Sequence, residues 1–167
     1  MTVITQNGWP QCTREECELL PVVGTDDDVV RIELRKGDVA TILTAWAGWF
    51  HRHVRPINST PFRDCWGWSG TYRVWNSNHL SGTALDLCAT ELPWNRLTMP
   101  AEQVDAVERG LRLFEGTIFW GRWLERPDEM HFEILGSPIR SEIREFAGRL
   151  RSGYLDLHGP SSAIAAT

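Results

Sequence analysis

The sequence predicts an α+β fold: a small antiparallel sheet with helices packed on one side. Three observations lead there. Segments 38–50, 100–114 and 138–150 carry apolar residues at helical spacing, whereas 84–89 (ALDLCA), 116–121 (GTIFWG) and 130–135 (MHFEIL) are short strand-like runs between turn residues. A chain of 167 residues with 42% hydrophobic and 23% charged residues has the material for one compact core.

Taken in order, residues 1–28 mix polar residues, Gly and Pro and end in the acidic run Asp26, Asp27, Asp28, which predicts an irregular arm wrapping the core. Residues 29–34 (VVRIEL) form a candidate strand. Gly37-Asp38 then offers a helix N-cap, and Val39, Ile42, Leu43, Trp46, Trp49 and Phe50 share one helical face, which predicts a core-packing stripe. Pro56, Pro61, Gly67 and Gly70 predict loops from 55 onward, leading into a strand at 71–75. Thr98 is a candidate cap for the helix at 100–114, with Val104, Val107, Leu111 and Phe114 facing the core. The last helix, 138–150, starts at a proline and aligns Ile139, Ile143, Phe146 and Leu150. The domain is expected to span 1–158, and the small, polar run 159–167 (GPSSAIAAT) reads as the beginning of a linker.

A net charge of −5 and a pI near 5.5 argue against nucleic-acid binding by counterion release. The cations are arginine apart from Lys36, a skew that fits GC-rich codons rather than recognition chemistry. No apolar run approaches the ~18 to 20 residues that cross a bilayer, and the start MTVITQNGWP has no signal-peptide pattern. Cys12, Cys17, Cys65 and Cys88 contain no C-x-x-C pair, so they read as buried free thiols, with a Cys12–Cys17 disulfide as the alternative.

The chemistry concentrates in 77–87, SNHLSGTALDL. His79 leads into a strand in which Ala84, Asp86 and Cys88 share one face and Leu85 and Leu87 the other, so Asp86 points away from the apolar core and toward a histidine. His131 lies in another strand, with Asp128 three positions before it. Two histidine nitrogens and one carboxylate oxygen form the open three-ligand set of a catalytic zinc, with water as the fourth ligand.

The run Ser77-x-His79-x-x-Gly82-x-Ala84-x-Asp86, followed by Asp128-x-x-His131, resembles the zinc peptidases that act as D-alanyl-D-alanine carboxypeptidases and L-alanyl-D-glutamate peptidases, the family that includes VanX and VanY. Within it the chain is most similar to the peptidase domains of phage endolysins, particularly those infecting actinobacteria. The resemblance implies a hedgehog-like peptidase fold, zinc (Zn2+) held by His79, Asp86 and His131, and Asp128 as general base and then general acid. It also implies that Arg73 stabilises the oxyanion, although the family's Ser-Gly-Tyr-Arg segment is interrupted here as Ser69-Gly70-Thr71-Tyr72-Arg73. The implied substrate is the stem peptide of bacterial peptidoglycan, cut preferentially between L-alanine and D-glutamate. D-alanyl-D-alanine carboxypeptidase activity is the nearest alternative. The implied setting is synthesis in a host cytoplasm and holin-dependent release to the wall; a monomer is the default expectation, and the apolar runs predict no membrane insertion.

Two readings from other classes compete. A non-catalytic zinc domain that binds wall or protein would lack the general base, whereas Asp128 is present; cysteine catalysis would need Cys88 accessible near His79. His51 and His53, at i and i+2 near a helix end, do not share a face and are poor partner ligands. Ser77 is as suited to bonding nearby backbone as to orienting a ligand, and Glu133 shares the strand face of His131. Glu129 also flanks that histidine. Trp66, Trp68, Trp75, Trp120 and Trp123 surround the motif segments and suit either a cleft or a core.

Overall fold

The structure is a computed structural model that describes residues 2–22, 30–57 and 64–157. The acidic run 26–28, Val29, His158 and the linker-like 159–167 lie outside the described residues. The α+β expectation holds. Two small antiparallel sheets, β1(Cys17–Pro21)–β2(Arg31–Arg35) and β3(Ala84–Asp86)–β5(His131–Ile134)–β4(Ile118–Trp120), pack with α1(Asp38–His53), α2(Ala101–Leu113) and α3(Ser141–Arg151). None of the described helices is long and apolar enough to cross a membrane.

The N-terminal arm is more regular than its composition suggests. Cys17–Pro21 pairs with Arg31–Arg35 in the register Leu19↔Glu33, a partnership that only the returning strand reveals. The two sheets meet at residues 66–68. Trp66 exchanges backbone hydrogen bonds with Asp86 on β3 (3.1 and 2.8 Å), and the Trp68 N–H donates to the Glu33 carbonyl on β2 (2.6 Å). Gly67 makes this seam feasible, because a Cβ there would lie 2.2 Å from the Glu33 carbonyl oxygen.

Helix α1 is the hub. Its predicted single apolar face is instead a fully buried run from Val39 to Phe50, because strands and both other helices surround it. Trp46 contacts Phe114 and Phe132 at centroid distances of 5.1 and 5.0 Å, which joins α1 to the end of α2 and to β5. Arg151 pairs with Asp38 at 2.7 Å and holds the end of α3 against the start of α1.

Three local expectations are corrected. Residues 71–75 form bends and turns rather than a strand, with no sheet partner among the described residues. Thr98 does not cap α2, whose N-cap is Pro100; the Thr98 hydroxyl reaches Glu129 and the Glu91 carbonyl instead. The last helix begins at Ser141, which leaves Ile139 outside the helical phase and 91% exposed. The expected cap of α1 holds, with Gly37 as the N-cap and Asp38 as the first helical residue. The cysteines are free, with Cys12, Cys17 and Cys88 buried and Cys65 only partly so, and the Cys12 and Cys17 sulfurs lie 3.6 Å apart.

Candidate metal centre and active-site cleft

Strand register builds the centre. Asp86 on β3 is the direct Cα partner of His131 on β5, and antiparallel alternation puts Ala84, Asp86, His131 and Glu133 on one face while Leu85 and Phe132 enter the core. His79 arrives from a short 3₁₀ turn, Asn78–Ser81, that closes onto this face. Ser77 caps that turn, its hydroxyl accepting from the His79 backbone N–H at 3.3 Å, so it fixes the histidine through the backbone. Gly82 ends the turn in the left-handed region (φ 66°), where a Cβ would also lie 2.8 Å from the Arg35 nitrogen.

His79, Asp86 and His131 therefore converge, with one potential ligand atom from each lying within 4.8 Å of the others. His79 is fully buried. Its Nδ1 donates to the Gly67 carbonyl at 2.7 Å, which leaves Nε2 facing Asp86 and His131 at 3.3 Å each. His131 presents Nδ1 to Asp86 Oδ1 at 3.0 Å, and its Nε2 bonds Glu133 at 2.9 Å.

The electrostatics agree with a cation site. Burial alone would raise the Asp86 carboxyl, but His79 and His131 outweigh it and hold Asp86 well below the usual carboxylate range. Burial would lower the His131 imidazole, yet its bonds to Asp86 and Glu133 raise it to about 10. Asp86 Oδ2 is buried without a hydrogen-bond partner. An orphaned carboxylate oxygen beside two imidazole nitrogens fits a borderline-soft divalent ion such as zinc. His51 and His53 lie apart on α1, where His51 Nδ1 accepts from the Ile57 N–H and the His53 ring packs on Trp49.

Asp128 sits at the mouth of the centre. Burial, followed by the nearby Asp86 charge, raises its carboxyl to about 6, and its Oδ1 is buried without a partner. Its loop is tightly held. Asp128 N–H donates to the Gly121 carbonyl, Asn95 N–H to the Pro127 carbonyl, and a Cβ on Gly121 would press on the Asp128 carbonyl oxygen at 2.6 Å. Beneath it, fully buried Glu129 accepts from the Thr98 and Met99 N–H groups (2.6 and 2.8 Å) and pairs with Arg122. The sequence reading placed Glu129 beside His131 but offered no sign of this anchoring role.

A cleft of about 740 Å³ opens over Asp128, His79 and His131. Trp66, Trp68 and Trp94 line it, whereas Trp120 belongs to the core and Trp75 projects into solvent. Arg73 lines the same cleft and is exposed. Tyr72 stacks on the His79 ring at 4.7 Å and 12°, a contact its position in an irregular loop did not announce. Burial and then the Asp86 and Asp128 charges push its phenol up, so it keeps its proton at neutral pH. Cys88 is no nucleophile: it is 2% exposed, and its hydrogen bond with the Cys65 thiol, together with burial, raises its own thiol far above the ordinary range.

Residues 69–134 match the family model described as D-alanyl-D-alanine carboxypeptidase. The matched stretch contains Arg73, His79, Asp86, Asp128 and His131, but leaves out β1, β2, α1 and α3. With the three-ligand group inside it, the match indicates a metallopeptidase-type centre. No curated protein and no solved structure matches the chain.

Proposed function

We propose that this chain is a zinc peptidase that hydrolyses an amide bond in the stem peptide of bacterial peptidoglycan. The observation that carries the reading is the convergence of His79, Asp86 and His131 beside a carboxylate, Asp128, poised to exchange protons. The three convergent side chains would hold the ion, which when bound supplies Lewis acidity and acidifies water toward ~pKa 7. Asp128, ionised above about pH 6, accepts the proton of the attacking water and returns it to the leaving amine. Arg73 extends from the cleft wall to the negative charge that develops on the carbonyl oxygen. Tyr72 holds the His79 ring from the cleft side and narrows the approach to it.

The favoured bond is L-alanyl-D-glutamate, and the favoured setting is the peptidase domain of a phage endolysin acting on the cell wall. What supports both is the resemblance to phage endolysin peptidase domains, which have an aspartate, rather than a glutamate, at the position of Asp128. D-alanyl-D-alanine carboxypeptidase activity is the second reading. The description of the matching family favours it, and Arg73 offers a cation for a terminal carboxylate.

Mass spectrometry of products from purified peptidoglycan tests the proposal, with wild type, Asp128→Ala and chelator-treated protein in parallel. New N-terminal D-glutamate establishes the endopeptidase, and released D-alanine the carboxypeptidase. An intact wall with wild-type protein that binds zinc would overturn catalysis on this substrate and favour a binding domain.

A further inference from the structure

On the Glu133 side of the centre, a hydrogen-bonded chain runs from the N-terminal arm to His131. The Asn7 backbone N–H donates to Asn78 Oδ1 at 3.0 Å, Asn78 Nδ2 donates to Glu133 Oε2 at 2.5 Å, and Glu133 Oε2 accepts from His131 Nε2 at 2.9 Å. Asn78 has a single sensible orientation here, because its oxygen must face an N–H and its nitrogen a carboxylate. It is 1% exposed, so neither end is satisfied by bulk water. The arm is itself fastened to the strands. Asn7 Nδ2 donates to Thr83 Oγ1 and the Ile134 carbonyl (2.8 and 3.1 Å), while Thr5 and Ser81 hydroxyls meet at 3.0 Å.

We propose that Glu133 and Asn78, fastened by the N-terminal arm at Asn7, are positioning residues that set the His131 imidazole with Nδ1 toward the metal. The inference rests on the zinc-centre reading above. An imidazole can ligate through either nitrogen, and the choice follows from what the other nitrogen bonds. A carboxylate on Nε2 keeps that nitrogen protonated, leaves Nδ1 as the ligand atom and makes the ring more basic toward a cation. Asn78 keeps the carboxylate in place, and Asn7 keeps Asn78 in place. Asn78 and Glu133 lie inside the stretch that matches the peptidase family, whereas Asn7 lies outside it, so the arm adds a support that the match does not contain.

Zinc affinity measured by competition with a chromophoric chelator tests this on the full chain, with the melting temperature of the metal-free protein as the control for folding. Glu133→Ala is expected to weaken zinc binding by ~10–100-fold, with Asn78→Ala near the lower end of that range. Glu133→Gln keeps the acceptor and loses the charge, so its loss should be intermediate, and Asn7→Ala should show the smallest. In cobalt-substituted protein, Glu133→Gln should also shift the visible absorption bands, which report ligand geometry. Zinc affinities of Glu133→Gln and Asn78→Ala within about twofold of wild type, with unchanged cobalt bands, would overturn the positioning role even if Glu133→Ala fails to fold. Wild-type protein that binds no zinc would overturn the metal centre itself, an outcome read from a separate titration.

Discussion

The back and the front of the candidate centre are built differently. Behind it, His79, Asp86, Gly67 and Asn78 are buried, are carried on paired strands and a capped turn, and bond to one another or to backbone. In front, residues 70–75 are irregular and exposed, and Tyr72, Arg73 and Trp75 come from one short loop. The contrast separates two tasks. Ligand atoms must be placed to within fractions of an ångström, which requires packed elements, whereas a substrate can be met by side chains that settle on contact.

If the division is real, front and back substitutions should fail in different ways. The largest effect is expected at the boundary: Asp128→Asn should lower kcat by ~10²–10⁴ while zinc content by elemental analysis stays at the wild-type level. Loss of zinc together with rate would place Asp128 among the ligands. Arg73→Ala should lower kcat/KM by ~10²–10³ without moving the melting temperature, since its exposed side chain has no packing role. Substituting the buried anchor beneath Asp128 should instead cost stability. Glu129→Ala removes the acceptor of two backbone N–H groups and the partner of Arg122, so thermal unfolding should show a loss of about 3 kcal/mol.

A finer test is the pH profile of kcat/KM. Because burial raises Asp128 to about 6, the base form is lost as pH falls through that value, so the acid limb should lie near pH 6 rather than in the range of an ordinary aspartate. A limb unchanged in the residual activity of Asp128→Asn would assign the titration to another group. The smallest effect is expected at Trp75→Ala. With the ring 73% exposed, stability by chemical denaturation should stay within about 0.5 kcal/mol, and any change should appear in KM.

Much of the centre was legible because its residues follow rules local to one element. Period-2 alternation puts Asp86 opposite the core-facing leucines, and the same rule places Glu133 on the face of His131. Helix α1 was legible as a helix but not as a hub, since a stripe at helical spacing looks the same whether one side or every side is covered. The strand Cys17–Pro21 was missed because its apolar residues do not alternate, it ends in a proline, and its partner Arg31–Arg35 lies across a break in sequence. The expected strand at 71–75 failed for the complementary reason: β-prone residues with no neighbouring strand among the described residues to accept their hydrogen bonds.

By itself the sequence determined the candidate donors, the α+β layout and the acid–base candidate, because residue type and spacing within one strand or turn settle which side chains share a face. Tertiary structure alone decided which nitrogen of each histidine faces the centre, that the Gly67 carbonyl and Glu133 select it, and that the N-terminal arm reaches the site through Asn78. The physical reason is range. Periodicity is a property of consecutive residues, whereas a tautomer or the partner of a buried carboxylate depends on atoms brought together from dozens of residues apart.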